Sequence, residues 1–195
     1  VGMLNLERIF ADDVFWLSLR NTLVFTAISM LLIVVFGKIL ANVLIADFRG
    51  KWLVRFLVLL PWTTPVALSA VTWLWLLDSA FSPIDWVLRQ LGLIENNVYW
   101  LGRPGLAMAS VIAVHVWRLV PLAAVIMMAG LLSVPKDVQE QAAVDGAGFW
   151  RRMFEVTIPL TAPIIAIAAL FGAIFTFTDM AVVYVLTRGG PINET

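Results

Sequence analysis

Glu140 and Asp145 stand in one stretch with the small residues Ala142, Ala143 and Ala147 and the aromatic residues Phe149, Trp150 and Phe154. Carboxylates accept charge-assisted hydrogen bonds from basic groups, and small residues let a partner approach closely. Aromatic side chains anchor in grooves. The composition therefore suits docking on another protein, and it equally suits a solvated hairpin between helices. A second group lies inside apolar sequence. His115 and Arg118 are three residues apart and share a helix face, with Trp117 and Pro121 beside them. Asp179 falls near Thr176, Thr178 and Tyr184. Ionisable groups within apolar runs default to functional candidates. Hydroxyls, a carboxylate and aromatic rings form the kind of wall that a sugar-like solute needs. Two readings stay open: His115, Trp117, Arg118, Thr176 and Asp179 line a solute pathway, or Arg118 and Asp179 form a structural pair.

Several chemistries are excluded. There is no cysteine, hence no disulfide, thiolate metal site or cysteine nucleophile. A single histidine rules out a multi-histidine metal site. Neither Gly102-Arg-Pro-Gly105 nor Gly146-Ala-Gly148 approaches a phosphate loop ending in Gly-Lys-Ser/Thr. The formal net charge is zero, so nothing favours nucleic acid.

The elements that position these residues belong in a bilayer. Hydrophobic residues make up 62% of the chain and charged residues 13%, against about a quarter charged in soluble domains. The apolar residues gather in four runs that predict transmembrane helices over about 17–45, 54–77, 105–132 and 157–187. None shows the polar stripe of a soluble bundle, and the alternation of a membrane barrel is absent. The fold class expected is an all-α membrane protein. Residues 1–15 read as a surface segment, with Trp16 at the membrane interface.

Loop charges set the orientation. Arg49, Lys51 and Arg55 face one acid, Asp47, which places residues 46–55 in the cytoplasm. Alternation then puts 78–103 outside, 133–155 inside and 189–195 outside. In the outer loop, Ser82-Pro83 starts a short helix with Ile84, Val87, Leu88 and Leu91 on one face; it lies on the outer surface or packs on the protein. In the inner loop, Ser133 caps and Pro135 opens a first helix, Gly146 makes the bend, and Phe149–Val156 forms a second helix. Pro159 disturbs the return into the membrane. Pro61 and Pro65 kink the second run, as helix geometry or as a gate; Lys38 snorkels to the cytoplasmic surface; and Gly172 serves close helix packing in preference to a hinge.

The stretch Glu140-Gln141-Ala142…Gly146…Val156-Thr157-Ile158-Pro159 resembles the EAA loop of permeases in binding-protein-dependent ABC importers. The family pattern is Glu-Ala-Ala, three residues, Gly, nine residues, Ile, one residue, Leu-Pro, and every spacing fits. Gln141, Val156 and Ile158 depart from it; the last two are conservative, and Gln141 marks one position where the grip on a partner differs. Asp145-Gly146-Ala147 resembles the carbohydrate-uptake branch. So do Leu17–Thr22, Pro61-Trp62-Thr63-Thr64-Pro65, Trp73-Leu74-Trp75 and Tyr184–Pro191, and the last is similar to the first permease of such a pair.

The resemblance implies a six-helix permease whose second to fifth helices are the four runs, with both ends reading as cut from a longer chain. It implies that this chain hydrolyses no ATP and binds no cofactor. ATP and magnesium would sit on two ATPase subunits, docked through the cytoplasmic loop 133–159 at Glu140, Gln141, Ala142, Asp145, Gly146, Ala147, Val156, Ile158 and Pro159. Glu140 would meet a basic group there, and Gly146 would set the hairpin angle. The other partners implied are a second homologous permease, an extracytoplasmic solute-binding protein and the lipid of a prokaryotic inner membrane. Disaccharide, oligosaccharide and glycerol-phosphate derivative remain open as cargo. Two further classes stay in view: an ATPase-independent secondary transporter or channel, and a membrane scaffold.

Overall fold

The computed structural model describes residues 3–191, 193 and 195, and for Lys136 the backbone alone. Val1 and Gly2 of the expected surface segment, and Ile192 and Glu194 of the terminal stub, lie outside the described residues. The described residues form helices and the loops that join them, with no strand. In order they are α1 Leu4–Phe10, α2 Asp13–Ile45, α3 Lys51–Thr63, α4 Val66–Leu76, α5 Pro83–Gln90, α6 Leu106–Leu132, α7 Lys136–Val144, α8 Phe149–Arg151, a π-helical turn Arg152–Thr157, α9 Ile158–Thr178 and α10 Met180–Leu186.

Among the described residues three stretches are long and apolar enough to cross a membrane: Asp13–Ile45, Leu106–Leu132 and Phe149–Thr178. A fourth, Lys51–Thr63 with Val66–Leu76, qualifies only as a bent pair. The expected kink of this run is present as a break at Pro65. Pro61 is held within α3, while Pro65 stands at the N-cap of α4. The residue before a proline is pushed out of helical ψ, so the chain breaks at Thr64. The expected continuous fourth run also breaks, at Asp179, with φ −81° and ψ 89°. Within the most apolar windows, 61% of α6 is buried inside the chain, against 28% of α2 and 17% of Phe149–Thr178. The middle helix is therefore the most enclosed of the three, and the other two leave apolar faces exposed.

The chain divides into two compact units. One comprises residues 1–29, 64–116 and 176–195. Phe25, Ala70, Val111, Val114, Val182 and Leu186 are buried in it, and α10 packs against α4. Its loop over residues 78–103 is organised by two aspartates. Asp78 Oδ1 accepts the Ala80 and Phe81 amides at 2.7 and 2.8 Å, and these bonds hold its carboxyl below the ordinary carboxylate range. Asp85, in the first turn of α5, is fully buried. It accepts the Val98 amide at 2.8 Å and the Trp100 indole N–H at 2.7 Å. Of the two readings of this loop, packing on the protein holds at Asp85, while Trp86, Val87 and Leu91 on α5 remain exposed.

The other unit comprises residues 30–63 and 117–175. Ala41, Leu44, Ala124, Met127, Leu131 and Ala168 form its core, small residues predominating where helices meet. A Cβ at Gly37 would stand 3.0 Å from Ala123 Cβ, at Gly130 2.9 Å from Ile164 Cγ2, and at Gly172 3.0 Å from Met30 Sδ. The three contacts join α2 to α6, α6 to α9 and α9 to α2, so each pair of backbones approaches where one side chain is missing. The basic loop is tied in as well: Lys51 Nζ lies 2.7 Å from Asp47 Oδ1, and Arg55 donates to the Leu44 carbonyl at the end of α2.

Candidate functional site

The hairpin is built from α7, α8 and the π turn. The helix ends at Asp145, and Gly146 follows with φ +76°. Its amide donates to the Ala143 carbonyl at 3.1 Å, and the Ala147 amide reaches back to the Ala142 carbonyl at 3.0 Å. This pair of bonds is a Schellman motif, and it needs a residue that adopts left-handed φ/ψ without steric cost. No atom lies within 4 Å of a Cβ built on Gly146, so conformation and not crowding requires the glycine. The expected Ser133 cap is corrected. Ser133 Oγ donates to the Gly130 carbonyl at 2.7 Å instead, and α7 starts after Pro135 with no side-chain cap.

The second arm is not a separate helix ending at Val156. It runs from α8 through the π turn into α9 without a break. Pro159 lacks an amide hydrogen and its ring crowds the carbonyl four residues back, that of Glu155. A widened turn at Arg152–Thr157 relieves that crowding. The turn packs against α7.

Asp137, Glu140, Gln141, Val144 and Asp145 line one open concavity of about 550 Å³. Val144, at 87% exposed, offers an apolar contact at its edge. Phe149, Trp150 and Phe154 are all exposed and stand against one another: Phe149 and Trp150 meet edge to face, and Trp150 and Phe154 stack with centroids 6.2 Å apart. Ala142 and Ala147 are half-buried, as are Val156 and Ile158, whereas Pro159 is exposed.

The polar cluster belongs to the other unit. His115 is fully buried in α6, its ring 5.0 Å from that of Phe25. His115 Nε2 is 2.9 Å from Thr176 Oγ1. His115 Nδ1 is 3.1 Å from Asp179 Oδ2, off the line of a hydrogen bond. Asp179 Oδ1 accepts the amides of Ala181 and Val182 at 3.1 and 3.4 Å and so caps α10. Thr176 and Asp179 line a cavity of about 240 Å³ with Ser18, Asn21 and Thr22 of α2. His115 stands behind that lining. Trp117, 40% exposed, and Arg118, buried, lie in the second unit.

Two polar residues escaped sequence reading. Asp85 carried a signal, since Ser82…Asp85 has capping-box spacing: the Asp85 amide does donate to Ser82 Oγ, at 3.1 Å, while its carboxylate turns to the loop. Lys38 was expected at the surface, yet it is only 7% exposed and its Nζ has no hydrogen-bond partner among the described residues.

A permease architecture accounts for these features together, and sequence comparison agrees. Residues 33–195 match the family of binding-protein-dependent transport system inner membrane components, and the chain belongs to that family. It is 32% identical over 195 residues to the trehalose/maltose transport system permease protein MalF of Thermococcus litoralis, covering 100% of this chain and 65% of that protein. It is 31% identical over 195 residues to the sulfoquinovosyl glycerol transport system permease protein SmoG of Agrobacterium fabrum, covering 100% and 63%. The chain thus spans just under two thirds of the length of these relatives. Its fold is similar to a chain in the crystal structure of a bacterial alginate ABC transporter in complex with alginate pentasaccharide-bound periplasmic protein. The TM-score is 0.85 at 21% identity, over 100% of this chain and 67% of the other.

Proposed function

We propose that the protein is the permease subunit of an ATP-driven importer for sugars or sugar-like solutes, forming half of the translocation pathway. The observation that carries this reading is the hairpin. A glycine-closed turn presents Glu140 and Asp145 in an open concavity beside exposed aromatic residues, and a helix running unbroken into the bilayer-length stretch Phe149–Thr178 is attached to it. A push on such a hairpin is passed on to α9 without an intervening loop. Two ATPase subunits, holding ATP and magnesium, dock here from the cytoplasm. Glu140 and Asp145 meet basic groups, Gln141, Ala142 and Ala147 allow close approach, and Val156, Ile158 and Pro159 seat the second arm. ATP hydrolysis takes place on those subunits and not on this chain.

The solute side uses the cavity by Thr176 and Asp179. Its volume of about 240 Å³ falls below the 300–1,000 Å³, roughly, of sites that enclose small molecules. It is therefore one wall of a larger space, with a second, homologous permease supplying the other wall and a solute-binding protein delivering cargo from outside. Hydroxyl and carboxylate oxygens on that wall accept hydrogen bonds from a polyhydroxylated solute. His115 positions Thr176 and Asp179 from behind, and Trp117 offers an exposed aromatic face on α6. The relatives named for trehalose/maltose and for sulfoquinovosyl glycerol support a glycoside cargo. In this reading the four apolar runs are the second to fifth helices of a six-helix core, and the protein is the first permease of its pair.

The test is affinity purification of the full-length protein from its native membrane. An ATPase and a second permease are expected to purify with it, and reconstituted vesicles should take up solute only with the binding protein and ATP present. A stable homomeric complex that transports without an ATPase would overturn the reading.

A further inference from the structure

The unit that carries the hairpin contains a second cavity, of about 240 Å³, walled by α2, α6 and both hairpin arms. Its polar lining is Lys38, Asn42, Gln139, Arg152 and Thr157, and no acidic residue contributes to it. All five side chains offer hydrogen-bond donors, and two are cationic. Lys38 is 93% buried by its exposure of 7%, and Nζ has no hydrogen-bond partner among the described residues. An ammonium taken out of water without a counter-charge is strongly unfavourable.

The acids of this unit are engaged elsewhere. Asp47 holds Lys51 and Glu155 holds Arg151. Asp137, Glu140 and Asp145 line the separate acidic concavity. The two cavities of the hairpin region thus segregate charge: carboxylates on one, donors and cations on the other. The lining of the second cavity suits an anion with several acceptor oxygens.

We propose that this cavity binds a phosphate group at the root of the hairpin, between Lys38 and Arg152. A phosphate presents enough oxygens to engage both cations and the amide and hydroxyl donors around them. The group comes from an anionic phospholipid headgroup or from free phosphate. Basic pockets between membrane helices on the cytoplasmic side take headgroups, and that placement rests on the orientation given in the proposed function. Occupied, the site ties α2 to the two hairpin arms, so its ligand sets how stiffly the hairpin is held.

Binding is read by native mass spectrometry and by thermal melting of the full-length protein with whatever subunits purify with it. Vesicles of phosphatidylcholine with and without phosphatidylglycerol are compared, and inorganic phosphate is titrated into phosphatidylcholine alone. The wild type should retain phosphatidylglycerol and melt higher with it. Lys38→Met and Arg152→Gln should each weaken retention by about fivefold, the contribution of one basic group near an anionic surface. Lys38→Arg should keep most of it. If inorganic phosphate raises the melting point of the wild type and not of Lys38→Met, while phosphatidylglycerol does neither, the site stands and its ligand is the free anion.

The proposal fails if neither probe distinguishes the wild type from Lys38→Met. It also fails if Lys38→Met melts higher than the wild type in every lipid, the signature of a cation that was merely stranded. Loss of the second permease or the ATPase from Lys38→Met, with no lipid dependence, would put a partner's carboxylate there and overturn it too. None of these readouts needs ATPase coupling, so a chain that purified without an ATPase would refute the importer reading and leave this test intact.

Discussion

The two oxygens of Asp179 serve two helices: Oδ2 stands 3.1 Å from His115 Nδ1 on α6, and Oδ1 caps the start of α10. One short side chain therefore fixes the break between α9 and α10 and sets the polar wall beside it. Asp179→Asn keeps a capping oxygen and removes the charge. Assembly should survive in that variant, and solute uptake by reconstituted vesicles should fall by roughly ten- to a hundredfold, the worth of a charge-assisted contact. Asp179→Ala also removes the cap, which costs about 1 kcal/mol, and should lower the melting temperature besides. Unchanged uptake in Asp179→Asn would remove this residue from the pathway.

Gly146 closes the hairpin at φ +76° with open space around it. Alanine there must adopt a left-handed conformation at a cost of about 1–2 kcal/mol, and asparagine at less. Coupled ATPase activity should therefore rank wild type above Gly146→Asn above Gly146→Ala, with the amount of folded protein little changed. Gly146→Pro should uncouple most. A flat series would show that the angle of the turn does not matter.

Glu140 reports on the docking surface separately. Glu140→Gln keeps the shape of the concavity and removes one charge; retention of the ATPase on a column should weaken by about ten- to a hundredfold, for the loss of roughly 1.5–3 kcal/mol. The gap between wild type and variant should narrow as salt rises, because salt screens the charge that only the wild type carries. Equal retention at all salt concentrations would exclude Glu140 from the contact.

Close packing at Gly130 predicts a compensating pair. A methyl group placed there meets Ile164 at 2.9 Å, and overpacking of this kind costs about 1–3 kcal/mol. Gly130→Ala should lower the melting temperature, and Ile164→Val in the same protein should restore part of it. Additive losses would mean that the helices separate at some other contact.

In the loop over residues 78–103, Asp85→Ala strands the Val98 amide and the Trp100 indole, both donors to its carboxylate. Both donors are half-buried, so each left unmet costs at most about 1–3 kcal/mol. Faster proteolytic nicking between Gly92 and Gly105, with a red-shifted Trp100 emission, is the expected outcome. Wild-type protection would show that the loop is held by apolar contacts instead.

How much of this was legible depended on which force decided each element. Hydropathy located the long apolar helices, because the demand for apolar surface acts on whole runs of residues. The glycine of the hairpin was legible too, since few residues other than glycine adopt its φ cheaply. Breaks inside apolar runs were harder. Pro61 and Pro65 look alike in sequence, yet one is absorbed within α3 and the other ends it, because only Pro65 meets a chain that turns. Asp179 as a cap was hidden by the apolar residues on both sides of it. Lys38 was misplaced for a different reason: snorkelling is a default for a lysine near a helix end, and it yields when neighbouring helices close over the side chain.

The π turn at Arg152–Thr157 changes the phase of the helix that contains it. Winding an extra residue into one turn rotates everything beyond it by about 100° relative to an uninterrupted α-helix. Phe149 and Trp150 therefore project from a side of the rod that the periodicity of Ile158–Thr178 would assign to other positions. A helical wheel drawn straight through Phe149–Thr178 misassigns its first turn. Deleting one residue from the turn would swing the aromatic trio off its bearing while leaving every side chain in the apolar stretch unchanged.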